Sequence, residues 1–303
     1  MSVVQDRRIL YFFEAVKLGS VRAAADYLDV APSAVSRQIA QLEQELGSPL
    51  LERHRRGVKP TEAGDRVLHY YRQRLSQQEV LLDSLQALRG LQSGSVVLAA
   101  GEGFIDGLAA PLSRFSELYP RIDLQVNVCG TNEVIRQVVE DEAHLGLVFN
   151  PPGDPKIRSH AHTQQPVCVA VSPDHPLAKE TAPLPLKGLD NYRLALPEVS
   201  YGIRQIVTLA EHRLGITLKP TLTCGTFAML KRFSMYGGVT LMPTFVMEEE
   251  IRSGHLVALA LQSEVFSSPE THLISRLGRQ LSVGASRLLS MLLQDMTAFK
   301  AQP

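Results

Sequence analysis

Two short helical patterns near the N-terminus, joined by a tight turn, limit the fold of this chain more than any other feature. Ser20 is a good N-cap for a first helix over residues 21–28, whose three consecutive alanines permit close helix packing. A turn over residues 29–31 leads to Pro32, which suits the first turn of a second helix, and Gly47 suits its end. This order of signals predicts a helix-turn-helix.

The second helix has one apolar face and a polar start. A preceding helix over residues 6–18 carries apolar residues at helical spacing and would help to cover the apolar face. The outward residues at the start of the second helix are Ser33, Ser36, Arg37 and Gln38. Arginine, glutamine and serine can hydrogen-bond to base edges in the major groove of DNA, so we expect these four to contact double-stranded DNA. The alternative is an ordinary solvated helix face.

A basic segment follows this helix and predicts a wing. Residues 53–59 include the basic residues Arg53, Arg55, Arg56 and Lys59 and contain no acidic residue. The segment ends at Pro60. A short hairpin here would carry these side chains to the flanking phosphates or into the minor groove. Thr61 then caps a further helix, with acidic Glu62 and Asp65 in its first turn.

That further helix is predicted to run to about residue 91 and carries an apolar stripe. The stripe consists of Leu68, Tyr71, Leu75, Leu82 and Leu85. A stripe of this period on an otherwise polar helix needs a partner, so it favours a coiled coil between two chains. The alternative is packing of the stripe against its own domain.

Charge and composition exclude some classes of protein. The 31 basic and 31 acidic residues cancel, which argues against a nucleic-acid binder, but residues 1–92 hold 13 basic and 11 acidic residues, so the charge is unevenly distributed. The N-terminus has no secretory signal pattern and no apolar run is long enough for a membrane span, so we expect a cytoplasmic protein without a membrane partner. The three separated cysteines form neither a disulfide framework nor a CxxC metal pair.

Residues 95–303 alternate strand and helix patterns, which predicts α/β structure with parallel sheets. Ligands of such sheets collect beyond the carboxyl ends of the strands. The strand ends supply Glu102, Gly103, Thr131, Asn132, Phe149 and Asn150 from one set of strands, and Tyr201, Arg204, Thr226 and Phe227 from the other. Thr131 and Thr226 each open a predicted helix, where free N–H groups hold an anion, although each also fits a plain N-cap.

The segment AAADYLDVAPSAVSRQIAQLEQELGSPLLERHRRGVKPTEAG resembles the winged helix-turn-helix of LysR-type transcriptional regulators. It follows the pattern AAxxLxxxxSAxSxxIxxLExxLGxPLxxRxxRxxxxTxAG over about 40 positions, with Leu51 where a Phe is usual and Pro60 where a Leu is usual. Ala31-Pro32 replaces a more polar pair. The resemblance implies an α+β multidomain fold: a winged helix-turn-helix, a long linker helix, and a two-lobed effector-binding domain like type-two periplasmic binding proteins.

The expected domains are therefore a DNA-binding head over 1–61, a linker and dimerisation helix over 62–92, and an effector-binding domain over 93–303. Its first lobe would take 93–163 and 268–303, and its second lobe 164–267. The resemblance further implies a dimer of dimers that binds an operator with a dyad and switches transcription on binding a small-molecule effector between the lobes. RNA polymerase is a further candidate partner, and no cofactor is expected.

Glu102 departs from the family, because many members have Ser or Thr there, which suits carboxylate effectors. A glutamate would repel such a ligand unless it is paired, for example with Arg204. We therefore expect an effector with a cationic or hydrogen-donating group that Glu102 receives. The alternative is that Glu102 is an exposed acid at the start of its own helix.

Two other function classes are less well supported. The sequence has no GxSxG, HExxH, GxGxxG or GK[ST] motif of an enzyme, and His160 and His162 alone make a weak metal-site pattern. A solute-binding protein would fit two lobes, but the missing signal sequence and the 90-residue head argue against it.

Overall fold

The computed structural model describes residues 6–54, 57–88 and 93–300. The chain forms two compact units, Met1–Leu81 and Leu82–Pro303, each with its own apolar core. In the described residues no helix is both long enough and apolar enough to cross a membrane.

The first unit begins with three short helices, as the capping signals predict. Its elements are α1 (Asp6–Lys17), α2 (Val21–Tyr27), α3 (Pro32–Leu46), β1 (Leu51–His54), β2 (Gly57–Pro60) and α4 (Glu62–Leu88). The last turns of α4 belong to the second unit. Ser20 accepts hydrogen bonds from the N–H groups of Arg22 and Ala23, which confirms its role as the N-cap of α2. Pro32 opens α3, and Gly47 ends it with a φ of +66°. The predicted helix-turn-helix is therefore confirmed.

The core of the first unit also takes in the start of α4. Leu68 and Tyr71 are buried there, and the ring of Tyr71 lies 5.2 Å from the ring of Phe13 in α1. These two side chains pack within their own chain, so the prediction that the whole stripe of α4 faces a partner helix is wrong for them. The spacing of the apolar residues correctly predicted a helix, but it does not indicate which neighbouring element covers each turn.

The strands β1 and β2 form the predicted wing as an antiparallel hairpin. The Glu43 carboxylate of α3 accepts hydrogen bonds from the N–H groups of Leu50 (2.7 Å) and Leu51 (3.2 Å), which fixes where the wing leaves the helix. Gly57 begins β2 with a φ of +131°, and a Cβ there would lie 2.2 Å from the carbonyl oxygen of Gly19. Only glycine fits this close approach of the wing to the turn after α1.

The second unit holds two five-stranded sheets. Its elements in chain order are β3 (Gly94–Ala100), α5 (Ile105–Leu118), β4 (Ile122–Val128), α6 (Thr131–Val139), β5 (Leu145–Phe149), β6 (Ile157–Gln164), β7 (Val167–Val171), β8 (Leu194–Leu196), α7 (Gly202–Leu214), β9 (Leu222–Thr223), α8 (Phe227–Met235), β10 (Val239–Pro243), α9 (Glu248–Arg252), β11 (Val257–Leu259), β12 (Glu270–Arg276) and α10 (Val283–Asp295).

Each sheet defines one lobe. The first lobe is built on the sheet with strand order β4-β3-β5-β12-β6, and the second lobe on the sheet with order β11-β7-β10-β8-β9. The chain therefore changes sheet after Gln164 and returns at Glu270, and the second lobe is inserted into the first. The sheets are mixed rather than parallel as expected, because β12 runs antiparallel to both β5 and β6, and β7 runs antiparallel to β10 and β11.

Candidate functional sites

The start of α3 presents two of its four predicted DNA-contacting residues to solvent. Ser33 and Arg37 are exposed, whereas Ser36 and Gln38 are half-buried. The side-chain oxygen of Gln38 accepts a hydrogen bond from Arg8 Nε of α1 at 3.3 Å, and Arg8 also pairs with Glu45. Gln38 is thus engaged within the unit, a contact that the sequence did not reveal.

The wing carries exposed positive charge on both of its faces. Arg53 and Lys59 are both exposed. In the hairpin Arg53 pairs with Val58 and Glu52 pairs with Lys59, so the side chains of Arg53 and Lys59 point to opposite faces. The predicted contacts Arg55 and Arg56 lie outside the described residues.

The stripe of α4 changes character along the helix. Leu68 and Tyr71 are core residues, but Leu75, Leu82 and Leu85 are each more than 40% exposed. Leu81, which was not part of the predicted stripe, is exposed as well. This leaves an exposed apolar surface on the later turns of the helix.

In the second unit, five predicted ligand residues line one small cavity between the lobes: Gly103, Thr131, Phe149, Tyr201 and Phe227. The other residues that line it are Gly101, Phe104, Gly202, Ile203, Pro243, Phe245 and Val246. Its volume is about 20 Å³, which is room for about one water molecule. The lobes are therefore closed on one another at this point.

Thr131 and Gly202 join the lobes at one side of this cavity. Thr131 is the first residue of α6, and its Oγ1 accepts a hydrogen bond from the N–H of Gly202, the first residue of α7, at 3.2 Å. A Cβ on Gly202 would lie 2.1 Å from the carbonyl oxygen of Phe149. The hydroxyl that was expected to cap its own helix or contact a ligand thus occupies the N-terminus of a helix in the other lobe.

Glu102 makes the equivalent contact between the lobes at the N-terminus of α8. Its Oε2 accepts a hydrogen bond from the N–H of Phe227, the first residue of α8, at 2.7 Å. Arg204, which the sequence offered as one possible partner of Glu102, instead donates to Glu211 at 2.8 Å within its own helix α7. Arg204 is also absent from the cavity lining, as far as the described residues define it.

The remaining predicted ligand residues lie outside the described lining of the cavity. Asn132 accepts a hydrogen bond from Gln205 Nε2 at 3.3 Å, which is another contact between the lobes. Thr226 accepts one from the N–H of Met229 at 3.3 Å and is the N-cap of α8, the alternative that the sequence left open. Asn150 follows β5 in a left-handed conformation with a φ of +47°.

Two aromatic residues of the lining were missed by the sequence analysis. The rings of Phe104 and Phe245 lie 5.3 Å apart, and that of Phe245 lies 6.2 Å from Phe149. Phe245 comes just after β10, so reading the end of that strand as the other strand ends were read would have found it.

The cavity is aromatic, and its described lining holds no charged side chain of either sign. The carboxylates of Glu102 and Glu198 lie beside it, outside that lining. Tyr201 donates to the carbonyl oxygen of Gly225, and its ring meets that of Phe227 edge-on at 5.5 Å. Burial, together with the charges of Glu102 and Glu198, raises the pKa of Tyr201 above its ordinary value.

A larger cavity of about 480 Å³ lies between α5, α9, the end of α10 and the segment after it, and its described lining includes none of the predicted ligand residues. That lining includes four carboxylates (Asp106, Glu248, Glu249 and Asp295) and two arginines (Arg114 and Arg252). Arg114 and Asp295 already pair with each other at 3.2 Å. The part of the chain that the structure describes holds no cluster of three or more side chains suited to a metal ion.

Comparison with known proteins gives matches over both units. The family model for the LysR substrate binding domain matches residues 89–297, and that for the bacterial regulatory helix-turn-helix protein of the lysR family matches residues 7–65. Among curated proteins, a RuBisCO operon transcriptional regulator of Allochromatium vinosum is 28% identical over 293 residues, covering 95% of each chain.

Solved structures share the fold at low identity. A full-length OxyR variant from Pseudomonas aeruginosa matches with a TM-score of 0.66 at 16% identity, covering 100% of this chain and 99% of the other. Full-length CbnR complexed with its target DNA matches with a TM-score of 0.51 at 22% identity, covering 96% of this chain and 99% of the other.

Proposed function

This chain belongs to the LysR family of transcriptional regulators, and we propose that it reads an operator through α3 while a small molecule bound between its lobes sets the response. It is a ligand-responsive DNA-binding regulator rather than an enzyme. The observation that carries the proposal is the helix-turn-helix whose second helix presents Ser33 and Arg37 to solvent at its start.

In this proposal the head divides its contacts between bases and backbone. Arg37 reads a guanine in the major groove, with Ser33 and Ser36 beside it and Gln38 in a lesser role. Arg53 and Lys59 of the wing, with Arg55 and Arg56, contact phosphates or the minor groove and supply affinity with little sequence preference.

Self-association follows from the exposed part of the α4 stripe. Leu75, Leu82 and Leu85 are long apolar side chains on one helix, and pairing two such helices would remove them from water. Two paired heads would require an operator with a dyad, and a dimer of dimers is the assembly we propose. L82S/L85S is expected to lower the oligomeric state in analytical ultracentrifugation, whereas an unchanged mass would argue against this surface.

The proposed domains are 1–61, 62–92 and 93–303. The effector is proposed to bind between the two lobes of the last domain. Lobe boundaries near residues 163 and 268 are proposed, and the change of sheet after Gln164 and at Glu270 supports them. Because a cavity of about 20 Å³ holds no metabolite, the effector must bind a more open arrangement and thereby shift the population toward it.

The proposed location is the cytoplasm, and RNA polymerase is a proposed partner.

A gel-shift assay on the DNA upstream of the chain's own gene tests the proposed function. We expect a complex that weakens steeply as salt rises, since phosphate contacts release counterions. Arg37→Ala should weaken operator binding by about 1–3 kcal/mol and relax the sequence preference. Arg66→Ala is a matched control, because Arg66 is an exposed arginine on α4 outside the wing and α3. A wild-type protein that binds operator and random DNA equally would overturn base reading.

A further inference from the structure

We propose that the cavity between the lobes selects a small organic cation, and that Glu102 is the residue that selects it. This inference rests on the proposed function, since it names the chemical class of the effector. Three helices begin at the cavity, since the first residues of α6, α7 and α8 (Thr131, Gly202 and Phe227) all line it.

The two helix ends of the second lobe are already occupied by the protein itself. The N-termini of α7 and α8 are the groups of the second lobe that would attract an anionic ligand. Thr131 accepts the first free N–H of α7, and Glu102 accepts the first free N–H of α8. An anionic effector would have to displace a carboxylate that is tethered beside its target and is therefore always present at high local concentration.

The charge that surrounds the cavity also disfavours an anion. The N-termini of α6, α7 and α8 each contribute about half a unit of positive charge, whereas Glu102 and Glu198 each contribute a full negative charge. The Glu198 carboxylate lies against Gly225, 3.1 Å from where a Cβ of that residue would be. The described lining holds no charged side chain of either sign, so these two carboxylates beside the cavity leave the balance of nearby charge slightly negative.

The nearest basic side chains are committed elsewhere. Arg204 pairs with Glu211 at 2.8 Å, and Lys231 of α8 pairs with Asp106 at 2.9 Å and with Glu250 at 2.8 Å. Like Glu102 and Glu198, these two basic side chains lie outside the described lining of the cavity, which holds no charged side chain. Turning either one toward an anionic ligand would leave a partly buried carboxylate unpaired, which is costly.

The walls of the cavity suit a cation. The rings of five aromatic residues line it: Phe104, Phe149, Tyr201, Phe227 and Phe245. The faces of such rings attract ammonium groups, and the attraction grows when the cation is removed from water. When the lobes separate, Glu102 loses the N–H of Phe227, and a cation between the rings takes over as the partner of its carboxylate. A ligand that replaces a broken hydrogen bond in this way favours the open arrangement, which is the difference in affinity that a switch requires.

Three probes of similar size and different charge test the proposal on the full chain: benzylammonium, benzyl alcohol and benzoate. Their binding is measured by isothermal titration calorimetry and by the shift in Tm, at one pH and one ionic strength. We expect benzylammonium to bind at least about 10-fold more tightly than benzyl alcohol, and benzoate to bind most weakly.

Two glutamine variants identify the residue responsible. Glu102→Gln keeps an oxygen for the N–H of Phe227 but removes the charge, so it should reduce the affinity for benzylammonium by about 10-fold and remove its advantage over benzyl alcohol. Glu117→Gln makes the same change at an exposed position on α5 and should leave both affinities unchanged.

Several results would overturn the proposal. These are a preference for benzoate, equal binding of all three probes, no binding of benzylammonium, or a Glu102→Gln variant that keeps the preference for the cation. Tighter binding of benzoate by Glu102→Gln would instead identify Glu102 as an internal substitute for an anionic effector. The gel-shift assay is run on the same samples: intact operator binding confines the failure to the ligand class, whereas loss of specific DNA binding by the wild-type chain overturns the proposed function.

Discussion

Arg8 of α1 donates a hydrogen bond from its Nε to the side-chain oxygen of Gln38 in α3, at 3.3 Å. The bond ties a predicted base-reading side chain to the body of the head, while the side chain of its neighbour Arg37 is exposed to solvent. Two residues that look equivalent on the same helix therefore differ in what they can offer to DNA.

We expect Gln38→Ala to weaken operator binding less than Arg37→Ala does, because one hydrogen-bonding atom of Gln38 is already used within the head. Fluorescence anisotropy titrations on operator and random DNA measure both losses. Arg8→Ala, which frees Gln38, should bring the effect of a subsequent Gln38→Ala closer to that of Arg37→Ala. Equal losses for the two single variants in the presence of Arg8 would contradict this ranking.

Gly202→Ala is expected to hold the lobes apart. A Cβ at this position would lie 2.1 Å from the carbonyl oxygen of Phe149, so the first turn of α7 could no longer seat against the end of β5. Amide hydrogen exchange should become faster in the peptides that contain Gly103 and Phe227. Gly153→Ala is the control, because no heavy atom of the described residues lies within 4 Å of its added Cβ. Unchanged exchange at the cavity in Gly202→Ala would show that the closed contact is not required.

Asp141→Asn is expected to destabilise the chain by about 3 kcal/mol. Asp141 accepts hydrogen bonds from Arg276 and Arg279, whose side chains are only 3% and 4% exposed, so removing its charge leaves buried positive charge uncompensated. Asparagine suits the left-handed backbone of this residue, where φ is +60°. Urea unfolding measures the loss. Asp295→Asn, in an exposed pair with Arg114, should cost about 0–1 kcal/mol, and similar losses for both variants would count against a special role of the buried pair.

Cys129 is expected to react slowly with alkylating reagents at neutral pH. Burial, with a smaller contribution from the charge of Glu133, raises the pKa of its thiol from 9.0 to about 11. Because the thiolate is the reactive form, its share at neutral pH falls by about 100-fold, and the rate should rise with pH until about pH 11. Timed alkylation with iodoacetamide and peptide mass spectrometry measures this rate, with unfolded protein as the reference. Equal rates in the folded and unfolded chain would contradict the prediction.

The sequence predicted the head well because its signals are local. Ser20, Pro32 and Gly47 each act on the backbone within a few residues, so their positions alone place the ends of α2 and α3. By contrast, β6 and β12 were not predicted as strands. Each strand pairs with a segment more than 100 residues away in the chain, since Glu270 pairs with Gln164. The residues of neither segment indicate which distant segment it pairs with.

The candidate ligand site was predicted in its location but not in its bonding. The strand-end rule found Glu102, Thr131 and Phe227, which the fold does bring to one place. It did not identify the partner of Glu102, which is the backbone N–H of Phe227. Every residue except proline has such a group, so the sequence does not single one out, whereas the charge of Arg204 is evident from the sequence. The periodicity of α4 likewise placed Leu68 and Leu82 on one stripe without distinguishing the buried residue from the exposed one.

The position of β12 between β5 and β6 has a consequence for the order in which the chain can fold during synthesis. The sheet of the first lobe lacks this inner strand until residues 270–276 have been made, after the entire second lobe. Until then one edge of β5 stays open, and β6 has no neighbouring strand with which to pair. An open edge of this kind can pair with other chains. The lobe that begins first on the ribosome is thus completed last, and its growing chain is most exposed to aggregation while the second lobe is being synthesised.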